Sequence, residues 1–158
     1  MSNIRSMKNA QFWIGPVVTG EQTQAQLEAL TYVKVKDVGT IGELGSTEEI
    51  AKFSPLEGTD KKVKGNVDAG DVSVTWGRDY ADPGQIATKD AGLTTFCYAV
   101  KFVLNDNPTA NHTKTSLYST ATITEAKKSG GSGNDVITEK TMVNCQQRLI
   151  EVVPALIP

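Results

Sequence analysis

Thr95-Phe96-Cys97-Tyr98-Ala99-Val100-Lys101-Phe102-Val103-Leu104 is the stretch whose alternation decides the fold. Phe96, Tyr98, Val100, Phe102 and Leu104 recur at every second position, while Cys97, Ala99, Lys101 and Val103 fall between them. Successive side chains of an extended chain face opposite sides, so this period of two marks a strand with a buried face. We read it as the central strand of the core, with Phe96, Tyr98, Val100 and Phe102 inside. Residues 71–76 repeat the pattern, with Val72, Val74 and Trp76 inward against Asp71, Ser73 and Thr75. Weaker strand signals lie at 11–14, 32–38, 49–53, 61–66, 117–126, 135–140 and 141–153. Threonine is frequent and interleaved with apolar residues, as suits a pleated, half-buried surface. Tyr118, Thr120, Thr122 and Thr124 form a hydroxylated face opposite Leu117, Ala121 and Ile123, a face that is wet or touches another polar surface.

One helix is signalled firmly. Asp82 is an N-cap acceptor, Pro83 suits the first helical position, Gly84 follows, and Gln85 stands at the reciprocal capping-box site. Ile86, Ala87 and Ala91 add a small apolar stripe, and Gly92 reads as a left-handed stop. A helix over 83–91 is too short to persist undocked. Ser46 to Glu49 resembles a second box, but Pro55 follows closely, and a helical turn and a strand read equally well there. Residues 22–30 have a helical pattern without a firm cap. Loops are expected at 39–47, 54–60, 105–115 and 127–134, the last containing Ser129-Gly130-Gly131-Ser132-Gly133. The class is therefore mainly β: a sandwich or partial barrel of two packed sheets with one flanking helix.

The 158 residues suit one domain over 1–158, with an N-terminal arm at 1–30. With 39% apolar and 22% charged residues, the chain has an ordinary globular balance, which excludes wholesale disorder. A formal net charge of −2 argues against a basic surface built to grip nucleic acid. No apolar run approaches the ~20 residues of a membrane-spanning helix, so no membrane insertion is expected. Residues 1–9 lack the apolar core of a secretory leader. Cys97 and Cys145 lie far apart in sequence; a single disulfide is one reading, and two free buried thiols, the favoured one, fit a reducing compartment.

Reactive groups are scarce. His112 stands alone among turn formers, with no neighbouring ligand or nucleophile. Asn111-His112-Thr113 is a glycosylation pattern without a secretory context. Lys128 precedes its glycines, the reverse of a phosphate-cradling loop. Glu57, Asp68 and Asp71 lack the spacing of a calcium loop. Lys61, Lys62 and Lys64 form the densest basic cluster, but Asp60 and Asp68 flank it, which suits a charge-complementary subunit contact or a solvated strand. Trp76 reads as core, and Trp13 stays open between core and surface. No catalytic residue, metal ligand or cofactor is expected.

The order of segments resembles the siphophage major tail tube proteins. The likeness runs from Tyr32-Val33-Lys34-Val35-Lys36-Asp37-Val38-Gly39-Thr40-Ile41-Gly42-Glu43-Leu44-Gly45 through Thr47-Glu48-Glu49-Ile50. It continues in Ser54-Pro55-Leu56-Glu57-Gly58, in the lysine-bearing strand from Lys61 to Gly65, and in Asn66-Val67-Asp68-Ala69-Gly70-Asp71-Val72-Ser73-Val74. Tyr80-Ala81-Asp82-Pro83-Gly84-Gln85-Ile86-Ala87 and Gly133-Asn134-Asp135-Val136-Ile137 complete it. The resemblance spans about residues 32–153 and implies a β-sandwich with one flanking helix. It implies subunits that form hexameric rings, stacked into a hollow conduit through which DNA passes without specific binding. It also implies a virion-tail location after synthesis in the host cytoplasm, and tape-measure, tail-terminator and distal-tail partners. The wider superfamily includes contractile-tail and type VI secretion tubes. Leu56, Glu57, Lys61, Lys62, Lys64 and Asp68 are the candidate contacts between rings or subunits, with residues 54–66 expected to reach the adjacent ring. Two other classes remain: a monomeric β-sandwich recognition module using Trp13 and Tyr118 as a platform for glycan or a host surface, and a small enzyme with no evident catalytic group.

Overall fold

The computed structural model describes residues 4–158; positions 1–3 of the expected arm lie outside them. The chain runs β1 (Gln11–Val17), α1 (Gln24–Glu28), β2 (Val33–Val35), β3 (Val38–Ile41), β4 (Thr47–Phe53), β5 (Lys61–Asp68), β6 (Asp71–Gly77) and α2 (Pro83–Gly92). It continues through β7 (Tyr98–Val103), β8 (Ser116–Ile123), β9 (Lys127–Ser129), β10 (Thr138–Cys145) and β11 (Ile150–Val152). The class is mainly β, as the alternation implied. One antiparallel sheet runs β2-β1-β7-β8-β10-β6-β3, with β11 added to β8 and β9 to β10, while β4 and β5 pair only with each other.

The sheet curls back on itself. Its outermost strands, β2 and β3, are separated in sequence by Lys36 and Asp37 alone. Three Cα–Cα steps of 3.8 Å cannot exceed about 11 Å, so the two edges are held close at that corner. The two layers expected from the sequence are thus halves of one continuous sheet. They enclose Phe12, Ile14 and Val35 from one half and Val72, Val74, Trp76 and Val143 from the other, joined by Val100, Phe102 and Ala121. The rings of Phe12 and Phe102 stand 5.1 Å apart.

Helix α2 closes the corner. Asp82 accepts the Gln85 N–H at 3.1 Å and the Lys36 N–H at 3.0 Å through the same oxygen, joining the helix start to the β2–β3 link. A Cβ on Gly84 would overlap the Lys34 carbonyl, so only glycine allows this approach to β2. Gln85 does not complete the expected capping box. Its side chain is fully buried, accepts the Asp79 N–H at 2.9 Å, and donates to the Lys36 and Gly77 carbonyls at 3.1 and 2.9 Å. Glu139, fully buried on β10, lies 3.1 Å from Arg78 Nε and 3.6 Å from Lys89 Nζ, holding the far side of α2.

Several expectations are corrected. Phe96 is 58% exposed, not core, because the chain leaving α2 gains strand pairing only from Tyr98 onward. Residues 32–38 do not form one strand; Asp37 adopts φ 58° and turns the chain between β2 and β3. Gly92 lies inside α2, pressed against the Thr124 carbonyl, and Leu93 caps the helix in right-handed geometry. Helix α1 is firmly capped: Thr23 and Gln26 form the reciprocal box. The break expected at residues 140 and 141 is absent, since β10 runs through it. The strand expected at 11–14 is present and longer, Gln11–Val17, paired with β2 and β7. Tyr118 and Thr120 are buried rather than wet, whereas Thr124 is exposed.

Replacing Gln85 by Ala strands one backbone donor and two carbonyls at the closing corner, and each buried loss costs on the order of 1–3 kcal/mol. Urea denaturation of Gln85→Ala is expected to show a loss of about 3 kcal/mol; a loss below about 1 kcal/mol contradicts the stitching role.

Candidate interaction surface

The β4–β5 ribbon is the largest departure from the packed body. Every residue of β5 is exposed, and of β4 only Glu48 is half-covered. Residues paired directly across two antiparallel strands point to the same side. Ala51↔Val63 and Phe53↔Lys61 therefore make a largely apolar face, while Ile50↔Lys64 and Lys52↔Lys62 gather three lysines on the other. Phe53 is 67% exposed and Val63 64%, and Leu56 in the connecting turn is fully exposed.

Ion pairs fasten the ribbon. At its base Glu48 meets Lys64 and Arg148, each at 2.8 Å, and near its tip Lys52 meets Asp60 at 2.7 Å. The hydrogen bond from Lys64, reinforced by Arg148, holds the Glu48 carboxyl below the usual glutamate range; Lys52 does the same for Asp60. A depressed carboxylate contributes its stabilisation above the unfolded-state value and loses it as pH falls through the folded one. The ribbon is thus anchored at neutral pH and loosened by acid.

The structure sorts the sequence candidates. Lys64 is engaged by Glu48, and Asp68 accepts the Gly70 N–H at 2.9 Å at the ribbon's exit. Leu56, Glu57, Lys61 and Lys62 are exposed along the turn and outer half. Residues 61–66, placed both in a strand and in a reaching loop, belong to β5. Asp82, Pro83, Gly84 and Gln85 sit at the closing corner instead. Arg148, Ile50 and Phe53 were missed: Arg148 is 100 residues from its partner Glu48, and the side of the ribbon on which Ile50 or Phe53 stands emerges only from the pairing register.

A second cluster lies on the outward face of β1, β7 and β8. Trp13, Lys101 and Tyr118 occupy one cross-strand row, and α1 lays Leu27 over Ala99 and Tyr118. The Lys101 ammonium stands 5.3 Å from the Trp13 ring centre, 5.6 Å from Tyr118 and 6.0 Å from Tyr32. Burial lowers the Lys101 pKa, with Glu28 opposing, and raises that of Tyr118. Tyr118 is only 7% exposed, so Trp13 and Tyr118 do not form an open stacking platform.

Chemistry-bearing groups remain dispersed. Among the described residues no three His, Cys, Asp or Glu side chains are grouped to hold a metal. His112 bonds Thr109 through Nδ1 at 2.8 Å in its loop. Cys97 and Cys145 are free thiols, and burial raises the Cys145 pKa. Both line an open groove of about 940 Å³ at the ribbon base, with Gln22, Gln147 and Arg148 among its other walls. Gln147 ties two of those walls together through both atoms of its amide, at 2.9 and 3.0 Å from the Gln22 backbone.

No protein-family model matches the chain, and no curated protein is similar in sequence. Solved structures are similar in fold. One is from the anti-feeding prophage baseplate, symmetrised six-fold: 13% identity, 97% of this chain against 98% of that one, TM-score 0.68. Another is the sheath/tube terminator of an extracellular contractile injection system: 12% identity, 95% against 97%, TM-score 0.68. The SPP1 tail tube matches at 16% identity, 90% against 75%, TM-score 0.56. The fold is thus one found in tail-tube and contractile-injection structures alike, which does not single out siphophages.

Neutralising Glu48 removes the shared anion of two exposed pairs, an arrangement that contributes little to global stability. Glu48→Gln is expected to leave the thermal midpoint unchanged while speeding tryptic cleavage at Lys61 and Lys62 several-fold. Unchanged cleavage contradicts the anchoring role.

Proposed function

We propose that this chain is a structural subunit of a tail-tube assembly, associating with copies of itself into hexameric rings that stack into a hollow conduit for viral DNA. The observation that carries this reading is the β4–β5 ribbon. A two-stranded ribbon with no third strand and no packed face is marginal in water, yet this one exposes Ile50, Phe53, Leu56, Val63 and Val67. Those side chains need a surface supplied by another molecule. A protruding ribbon meeting a different face of the next copy is a heterologous contact, which closes into rings or propagates along an axis.

The tail-tube, terminator and baseplate likenesses support the assignment through the fold. The six-fold symmetrisation of one of those structures supports the ring number. A net charge of −2 suits a wall that lets a polyanion slide past, because phosphate capture needs clustered cations. The dispersed reactive groups favour this reading over an enzyme. In the assembly the subunit resides in the virion tail after synthesis in the host cytoplasm, beside tape-measure, terminator and distal-tail proteins.

Replacing residues 49–66 by a short Gly-Ser turn is expected to leave a folded subunit with a native-like melting curve but no rings or tubes, by size-exclusion chromatography and negative-stain microscopy. Normal tubes from this variant refute the role of the ribbon.

A further inference from the structure

The row containing Lys101 has a role that aromatic packing alone does not supply. Its ammonium faces the rings of Trp13, Tyr118 and Tyr32; the Glu28 carboxylate acts on it electrostatically, but no carboxylate lies within contact distance and no hydrogen bond is made among the described residues. Ring faces replace only part of the hydration lost by a half-covered ammonium. Its N–H donors therefore remain open to an anion arriving from outside.

The matching group lies at the tip of the ribbon. Glu57 is exposed and has no partner among the described residues, and Leu56 beside it is the most exposed large apolar side chain among them. The seven residues of β4 carry this pair roughly 20 Å from Thr47. The ribbon makes no strand pairing with the body, so the tip is presented to a second molecule. We infer that Glu57 of one copy docks on Lys101 of a neighbouring copy, with Leu56 laid against Trp13. This deepens the self-association reading above and rests on it. The contact encloses both charges at once, so it acts through specificity: a copy that brings no carboxylate leaves the ammonium half-covered with only the more distant Glu28 to compensate it.

The test uses the full chain, with tube yield measured by pelleting and negative stain and folding checked by circular dichroism. Lys101→Glu and Glu57→Lys are each expected to reduce tube yield about tenfold, and the double exchange to restore most of it. Single reversals that assemble normally, or a double variant as poor as the singles, overturn the pairing. If Lys101→Glu does not fold, a milder cycle decides. Glu57→Gln should reduce assembly in the native background but have no further effect on Lys101→Met, and equal effects in both backgrounds overturn the inference. If the unaltered chain forms no tubes under any condition, the self-association reading fails first and this inference fails with it.

Discussion

Asp82, the N-cap of α2, and Gln85, on its first turn, hold the structure closed. A curled antiparallel sheet whose first and last strands are neighbours in sequence must bring those edges to one corner. The backbone groups there cannot all pair with each other. Asp82 takes the Lys36 N–H, and Gln85 takes the Asp79 N–H while donating to the Lys36 and Gly77 carbonyls. Buried backbone groups are costly when unpaired, so two side chains convert an open corner into a satisfied one. Gly84 is required because the helix must approach the Lys34 carbonyl closely.

With the body closed in this way, the ribbon is free to be something other than core. Its strands gain no packed face from their own molecule, and their anchoring is electrostatic, through Glu48, Lys64 and Arg148. Such anchoring fixes direction more than it adds stability. The outcome is a closed body with an extension that has no packed face of its own. The aromatic row around Lys101 is a second structured patch, on the sheet's outer face.

Alternation of period two was enough to read β6 and most of β7, since Val72, Val74, Trp76, Val100 and Phe102 are all buried. Asp82 and Pro83 were enough to place the start of α2. What periodicity cannot supply is the point at which a strand gains a partner, so Phe96 satisfied the pattern while lying outside the sheet. Local spacing also misassigned Gln85: its amide is placed at the capping-box position, but its hydrogen bonds go to Lys36, Gly77 and Asp79, contacts set by tertiary closure. The exposure of Leu56, Glu57, Lys61 and Lys62 was legible because turn and charge signals are local. Arg148 was not legible, since nothing in the chain links it to Glu48 before folding. Trp13 was undecided because its environment arises from register across three strands.

On the proposed reading, the ribbon is incomplete in a single copy and completed by another. Hydrogen exchange at residues 47–68, followed in dispersed subunits and again after assembly, tests it most directly. Exchange along the ribbon is expected to be fast in dispersed subunits, against a protected β6 and β10, and to slow strongly on assembly. Equal protection of the ribbon in both states, or a chain that remains monomeric at every concentration with a ribbon already protected, contradicts it.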